Sequence, residues 1–175
     1  MKTRDAMIAS LCLSVLPALA AQAPVDVRFT DPTRFTDLRY TTSDSEHDTA
    51  DLADELRRYL ERRSPAYVPA GKRLEVTITD VDMAGDLRPA RGSIYMLRRQ
   101  IRGIYPPRVD LEFKLVRDDG TVEIQGRREL RNNAFLYGKY AHQRGPLVHE
   151  KALIERWLGT EFPPMRQASS TAEKR

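Results

Sequence analysis

The sequence predicts an α+β fold, a two-layer sandwich in which a mostly antiparallel sheet of about four to five strands carries two helices on one face. Three observations favour this fold. Apolar and polar residues alternate in several short segments, which is the period of half-buried strands. Between Leu52 and Leu60 the apolar residues instead recur at helical spacing. Asp118-Asp119-Gly120 is a hairpin turn between two of the alternating segments. The predicted order is β-α-β-(β)-β-β-α.

The first strand and the first helix are separated by a polar stretch. Val25, Val27 and Phe29 share one side of the strand because side chains alternate along an extended chain. Asp48 or Thr49 is expected to cap the helix that follows. Apolar residues then recur every three or four positions, namely Leu52, Leu56, Tyr59 and Leu60. Helix-breaking residues end the pattern, namely Pro65, Pro69 and Gly71.

The remaining strands follow from alternation and from the turn. Leu74, Val76 and Ile78 mark a second strand, which the long helical connection allows to lie parallel to the first. The segment that begins at Arg108 and the segment after Gly120 form the hairpin. Residues 87–107 show no clear pattern beyond a potential edge strand, at Ile94 and Met96.

The last helix closes the predicted domain. Pro146 is expected in its first turn, and Pro163-Pro164 ends it. Four apolar residues share one face, namely Leu147, Ile154, Trp157 and Leu158. We divide the chain into a signal peptide (1–20), a single α+β domain (21–162) and a disordered polar tail (163–175).

The first 20 residues are predicted to be a secretory signal peptide. Lys2 and Arg4 precede the apolar run Ala6–Leu16, and Ala18-Leu19-Ala20 is a small-x-small cleavage signal. The run is shorter than the roughly 20 apolar residues that span a bilayer. An uncleaved N-terminal anchor is the alternative. We expect a periplasmic protein whose mature chain has no transmembrane span.

Export would also determine which chemistry is open to the mature chain. Cys12 is the single cysteine of the 175 residues, and cleavage removes it, so the mature chain is expected to be cysteine-free. Disulfides, thiolate catalysis and cysteine-bound zinc are therefore excluded. The net charge of +4 alone would suit nucleic acid, but an exported protein rarely meets any, so we expect no nucleic-acid partner. The sequence leaves the oligomeric state open.

Several segments together resemble a known family. The most specific is Leu74–Gly85, which ends in Thr-Asp-Val-Asp-Met-Ala-Gly. Shorter pieces accompany it, at Val27–Pro32, Phe35–Asp37, Pro107–Leu111 and Glu150-Lys151 ahead of Trp157. Over nearly all of residues 25–162 the chain resembles the proteobacterial envelope family called domain of unknown function 3016. The resemblance implies a secreted single-domain protein of unassigned activity, and it supplies no catalytic residues.

Asp80, Asp82 and Asp86 form an acidic turn after the second strand. Their spacing resembles a calcium-binding loop, but Ala84 stands at the fifth ligand position and Arg91 replaces the bidentate glutamate. We interpret them as turn aspartates at a strand end, and a metal would need remote oxygens to complete its shell. We expect no metal and no cofactor.

The sequence assigns no catalytic residue. No histidine pair has the spacing of a zinc-binding helix, and His149 is expected to project from the last helix into solvent. The chain has neither the Gly-x-Ser-x-Gly elbow of hydrolases nor a phosphate-binding glycine loop. A small hydrolytic enzyme whose carboxylates converge only in the fold is kept as the alternative function.

An arginine-rich segment is the leading functional candidate. From Leu87 to Val109 the chain has six arginines and no lysine, aspartate or glutamate. The candidate binding residues are Arg98, Arg99, Arg102 and Arg108. Because the guanidinium group suits bidentate contact with phosphate or carboxylate, we expect an anionic envelope component or an acidic partner protein. The alternatives are a solvated edge that discourages strand pairing and an accessory protein without a specific ligand.

A buried polar cluster of Asp80, Arg128 and Glu150 is also predicted. Asp80 continues the parity of Ile78, Arg128 continues that of Ile124, and Glu150 lies on the apolar face of the last helix. If no β-bulge shifts either strand, all three face the helix–sheet interface. Since single buried charges are costly, Arg128 should bridge Glu150, Asp80 or both. Such a cluster would be a structural ion pair or, alternatively, a functional site.

Overall fold

The computed structural model describes residues 24–41, 45–89, 97–137 and 140–163. The predicted signal peptide, the potential edge strand at Ile94 and Met96, and the tail after Pro163 lie outside the described residues. The elements, in chain order, are β1 (Val25–Phe29), α1 (Ser45–Arg63), β2 (Lys72–Asp82), β3 (Asp86–Pro89), β4 (Leu97–Gln100), β5 (Arg108–Arg117), β6 (Val122–Arg131) and α2 (Val148–Glu161).

The strands form a four-stranded sheet in the order β1-β2-β5-β6 and a two-stranded sheet of β3 and β4. β1 is parallel to β2, as the long helical connection predicts, and the other pairs are antiparallel. Asp118 to Gly120 form the turn between β5 and β6, where Gly120 has a φ of 84°. The predicted α+β class is confirmed.

Both helices pack on one face of the four-stranded sheet. The core lies between them and contains, among others, Leu56, Leu60, Val76, Ile78, Leu111, Phe113, Ile154, Trp157 and Leu158. The rings of Phe113 and Trp157 meet edge to face, with centroids 5.5 Å apart. Polar side chains such as Glu112 and Lys114 occupy the opposite face, which the described chain leaves open. None of the described helices is long and apolar enough to cross a membrane.

A β-bulge in β2 changes the face on which the acidic residues lie. Ile78 pairs with Leu111, but the next pair is Asp80 with Asp110, so one extra residue stands between them. Val81 is consequently fully buried on the helix side. Asp80 turns to the open face, opposite to the side that simple alternation predicts.

Both helices begin at positions other than those expected. α1 begins at Ser45, so the two expected caps, Asp48 and Thr49, lie inside the helix. The Asp48 carboxylate instead accepts the backbone N–H of Thr41 at 2.9 Å. α2 begins at Val148, so Pro146 lies before the helix. Leu147 occupies its N-cap with a left-handed φ of 59°.

Candidate functional site

The four candidate arginines divide into two inward-facing and two exposed residues. Arg99 has a side chain that is only 2% exposed, and Arg108 is half-buried among aspartates. Arg98 and Arg102 are exposed, and neither forms an ion pair with any carboxylate that the structure describes. Only the second pair is therefore available to an external anion.

Arg99 holds the connection between β2 and β3. Its Nη2 lies 2.8 Å from Oδ2 of Asp37 and donates to the Arg39 carbonyl at 2.6 Å. Its Nη1 lies within 3.3 Å of three successive carbonyl oxygens, those of Met83–Gly85. A single buried guanidinium therefore satisfies the backbone of a sharp bend.

Glu150 reaches the same bend from α2. It is 1% exposed, and its Oε1 accepts the backbone N–H of Ala84 at 2.7 Å. Burial raises the pKa of Glu150, although the Ala84 N–H and the nearby Arg99 favour its ionised form. The carboxylate thus connects the start of α2 to the end of β2.

Arg108 forms ion pairs with two aspartates of the open face. Its guanidinium lies 2.6 Å from Asp80 and 2.5 Å from Asp110. Burial opposes ionisation of Asp80, but hydrogen bonds from Thr36 and the pair with Arg108 outweigh it, so the pKa of Asp80 is lowered. Burial raises the pKa of both Asp82 and Asp110. Asp80 and Asp110 therefore share one cation, the Arg108 guanidinium.

The predicted cluster of Asp80, Arg128 and Glu150 does not form, because each residue has another partner. Arg128 pairs with Glu161 at 2.7 Å, and its guanidinium lies over the Phe113 ring, 5.1 Å from the centroid. The bulge in β2 removes Asp80 from the helix side. The space beside Gly126 holds the Arg128 side chain itself, since a β-carbon there would lie 2.8 Å from Nη1.

The three aspartates of the predicted acidic turn also separate. Asp80 pairs with Arg108, Asp82 ends β2, and Asp86 begins β3 and lies 2.6 Å from Nε of Arg88. Within the described ranges, no group of three or more histidines, cysteines, aspartates or glutamates is placed to hold a metal ion.

The expectation that His149 is solvated is wrong. The residue is 8% exposed, and its ring meets Phe135 edge to face at 4.8 Å. Burial lowers the pKa of His149. The segment after β6 covers this side of α2, and helical periodicity carries no information about such a covering loop.

Glu155 is a further site that the sequence did not reveal. Its carboxylate accepts hydrogen bonds from Arg63 Nε at 2.9 Å, from the Tyr67 hydroxyl at 2.8 Å and from the Tyr59 hydroxyl at 3.0 Å. The hydrogen bond from Arg63, together with those from the two tyrosines, lowers its pKa to about 2 despite partial burial. These contacts join the end of α1 to the middle of α2.

Glu155 should make the stability of the protein depend on pH in the acidic range. Its folded-state pKa of about 2 lies below the ordinary value of 4.5, so the stabilisation is present above 4.5 and is lost as the pH falls toward 2. We expect urea unfolding to show the free energies of wild type and Glu155→Gln converging as the pH falls. Glu61→Gln, at an exposed position on α1, is the control. A wild-type advantage that stays constant with pH would contradict the assignment.

Exposed apolar side chains follow Arg98 in the chain and stand on both sides of Arg102. Ile101 is 47% exposed, Ile104 67% and Tyr105 37%. A β-carbon on Gly103 would lie 3.3 Å from Leu136 Cδ1, so this loop lies against the segment after β6. We call this surface the apolar tip, and it consists of Ile101, Ile104, Tyr105, Leu136 and Tyr137.

Most of the chain matches a known family. Residues 23–160 match the family described as protein of unknown function DUF3016. The chain belongs to this family. The match confirms the resemblance carried by Leu74–Gly85 and the shorter segments. Comparisons with curated proteins and with solved structures found no match.

In this DUF3016 protein, the most specific stretch of the resemblance builds the buried bend. Asp80 binds Arg108, and Val81 and Met83 enter the core. Ala84 donates to Glu150, and Gly85 passes close to β4. The residue types of this stretch are therefore explained by its structural role. The exposed arginines, Arg98 and Arg102, lie beyond it in the chain, on β4 and on the loop after β4.

Proposed function

We propose that this DUF3016 protein is a periplasmic, non-catalytic binding module that docks on a phosphate-bearing lipid surface of the cell envelope. The observation that carries the proposal is the apolar tip, three of whose residues lie with Arg102 on the loop that follows β4, just after Arg98. The signal-peptide pattern of residues 1–20 supports export to the compartment where such a surface is available.

The arrangement has both features of an interfacial binding surface. Isolated exposed apolar residues are ordinary on proteins, whereas a contiguous group is a sign of an interaction site. Ile101 and Ile104 can enter the headgroup region, while Arg98 and Arg102 remain beside it and bind phosphate oxygens. Each such cation contributes about 1 kcal/mol near an anionic surface.

A lipid surface fits the tip better than an acidic protein. The exposed arginines that the described residues place near the tip are few, so charge pairing with an acidic protein would involve few contacts. The exposed aliphatic side chains would contribute the larger favourable free energy, because a lipid surface removes them from water. The exported chain, which loses Lys2, Arg4 and Asp5 with the signal peptide, keeps a net charge of +3, and this charge adds long-range attraction to an anionic membrane.

The alternative function, a small hydrolytic enzyme, would use the aspartates around Arg108. Asp82 and Asp110 have raised pKa values beside Asp80, whose pKa is lowered, which is a pattern seen at acid–base sites. Asp80 and Asp110 bind the same guanidinium, however. That shared cation supports a structural role for the cluster.

Charge reversal at the two exposed arginines tests the proposal. We expect the wild-type protein to co-sediment with phosphatidylglycerol vesicles and less with phosphatidylcholine vesicles. The double variant Arg98→Glu, Arg102→Glu should weaken binding about 100-fold or more, because each reversal replaces an attraction with a repulsion. Arg99 must be left unchanged because its side chain is buried.

The matched control has the same change of net charge on α1. Arg58→Glu with Arg62→Glu alters two exposed arginines away from the tip. Equal losses in both double variants would show that net charge alone drives binding and would contradict docking through the tip. Ile104→Asp should weaken binding even at high salt, where charge attraction is screened.

A further inference from the structure

A cleft of about 270 Å³ lies between α2 and the segment that follows β6. Phe135, Tyr137 and Tyr140 provide aromatic walls, and Ala152 lies on the helix side. Besides the two tyrosine hydroxyls, the polar groups of the lining are His149, Glu155, Arg156 and Asn132. The membrane-docking proposal does not use these polar groups.

The acceptor groups of the cleft are already occupied. Both oxygens of Glu155 accept hydrogen bonds, from Arg63 and from the hydroxyls of Tyr59 and Tyr67. The side-chain carbonyl of Asn132 accepts the backbone N–H of Ala134 at 3.0 Å, which leaves its amide N–H groups. A ligand would therefore find few acceptors in this cleft.

The donor groups, in contrast, are available. Arg156 is exposed and has no ion pair with a carboxylate in the described part of the chain. His149 is 8% exposed and makes no side-chain hydrogen bond to any described residue. A buried imidazole that lines a cleft and has no hydrogen-bond partner in the described part of the chain is a group to which a ligand can bind.

We propose that this cleft binds a small organic anion, a carboxylate attached to one flat ring. The guanidinium of Arg156 would pair with the carboxylate, and His149 and the Asn132 amide would donate to its oxygens. The aromatic walls suit a ring. The volume lies below the roughly 300–1,000 Å³ of sites for drug-sized ligands, so the ligand is small.

Probes that share a ring and differ in charge test the proposal. In titration calorimetry of the purified protein, we expect saturable binding of benzoate with a Kd of about 1 mM or lower. Benzylamine, with the same ring and the opposite charge, should not bind. Failure of benzoate to saturate by about 10 mM, or equal binding of benzylamine, would overturn the proposal.

Substitutions in the cleft test whether benzoate binds there. Arg156→Gln should weaken benzoate binding by about tenfold or more, and Arg62→Gln, at an exposed position on α1, should not change it. His149→Phe keeps the ring packing against Phe135 and should also weaken binding. If that variant fails to fold, Arg156→Gln decides alone, and unchanged binding in it would overturn the proposal. Arg98→Glu, Arg102→Glu should bind benzoate like wild type, which separates this site from the two exposed arginines that the membrane-docking proposal uses.

Discussion

Replacing Arg99 with alanine will lower the free energy of unfolding by about 3–5 kcal/mol. The Arg99 side chain is 2% exposed and pairs with Asp37 at 2.8 Å. Its removal leaves the partly buried Asp37 carboxylate without this partner and the carbonyls of Met83–Gly85 without their donor. Removing a buried cation lowers the free energy of unfolding by more than the ion pair contributes to it. The reason is that the carboxylate and carbonyl groups left behind stay desolvated without a partner.

The neighbouring residue is the matched control. Arg98→Ala removes the same side chain from an exposed position on β4 and should change the free energy of unfolding by no more than about 0.5 kcal/mol. Urea unfolding followed by circular dichroism measures both variants. If Arg99→Ala cost no more than Arg98→Ala, the buried network would contribute nothing to stability.

Replacing Gly85 with alanine will destabilise the protein by about 3–5 kcal/mol. Gly85 has a φ of +79°, and a β-carbon on it would lie 2.1 Å from the Gln100 carbonyl oxygen and 2.9 Å from Ile101 Cα. These contacts involve backbone atoms, so no side-chain rotation can relieve them. The Gly85 N–H also donates to the Tyr105 carbonyl at 3.0 Å, which holds the two segments together.

Gly120 separates the two causes of this cost. It has a similar φ of +84°, but a β-carbon on it would meet no atom within 4 Å. Gly120→Ala should therefore cost only the left-handed strain, about 1 kcal/mol. The same unfolding measurement applies to both variants, and equal losses would show that the close approach at Gly85 is not the cause.

Both substitutions act on the bend that positions the proposed binding loop. Arg99 fastens β4 to the Met83–Gly85 bend, and Gly85 allows β4 to approach it. Arg98 and Ile101 stand immediately beside these anchored residues. We therefore expect Arg99→Ala to weaken vesicle binding as well, through loss of loop order rather than loss of a lipid contact.

Local patterns predicted the fold because their causes are local. The alternation in β1, β2, β5 and β6 and the Asp-Asp-Gly turn predicted the strands and the hairpin, and the apolar spacing predicted the two helices. The resemblance carried by Leu74–Gly85 predicted the family. Each of these inferences needs only neighbours in the sequence.

Side-chain contacts between residues that are far apart in the sequence were not predicted. A single bulge after Ile78 moved Asp80 to the open face, and Arg128 turned to Glu161 instead of Glu150. The loop that buries His149 has no periodic pattern. The Glu155 network joins α2 to residues of α1 and of the segment just after it, which are more than 80 positions away in the sequence.

The sequence by itself determined the α+β class, the order of the two helices and of the four strands of the main sheet, and the arginine-rich segment from which binding residues could be chosen, but not the two-stranded sheet of β3 and β4. Hydrophobic period and turn chemistry suffice for these features because each depends on a few adjacent residues. Only the tertiary structure decided which arginines face solvent, since Arg98 and Arg99 are neighbours with opposite surroundings. Arg99, buried beside Asp37, and the exposed Arg98 cannot be told apart in the sequence. Whether a side chain is buried depends on which distant segments of the chain pack against it.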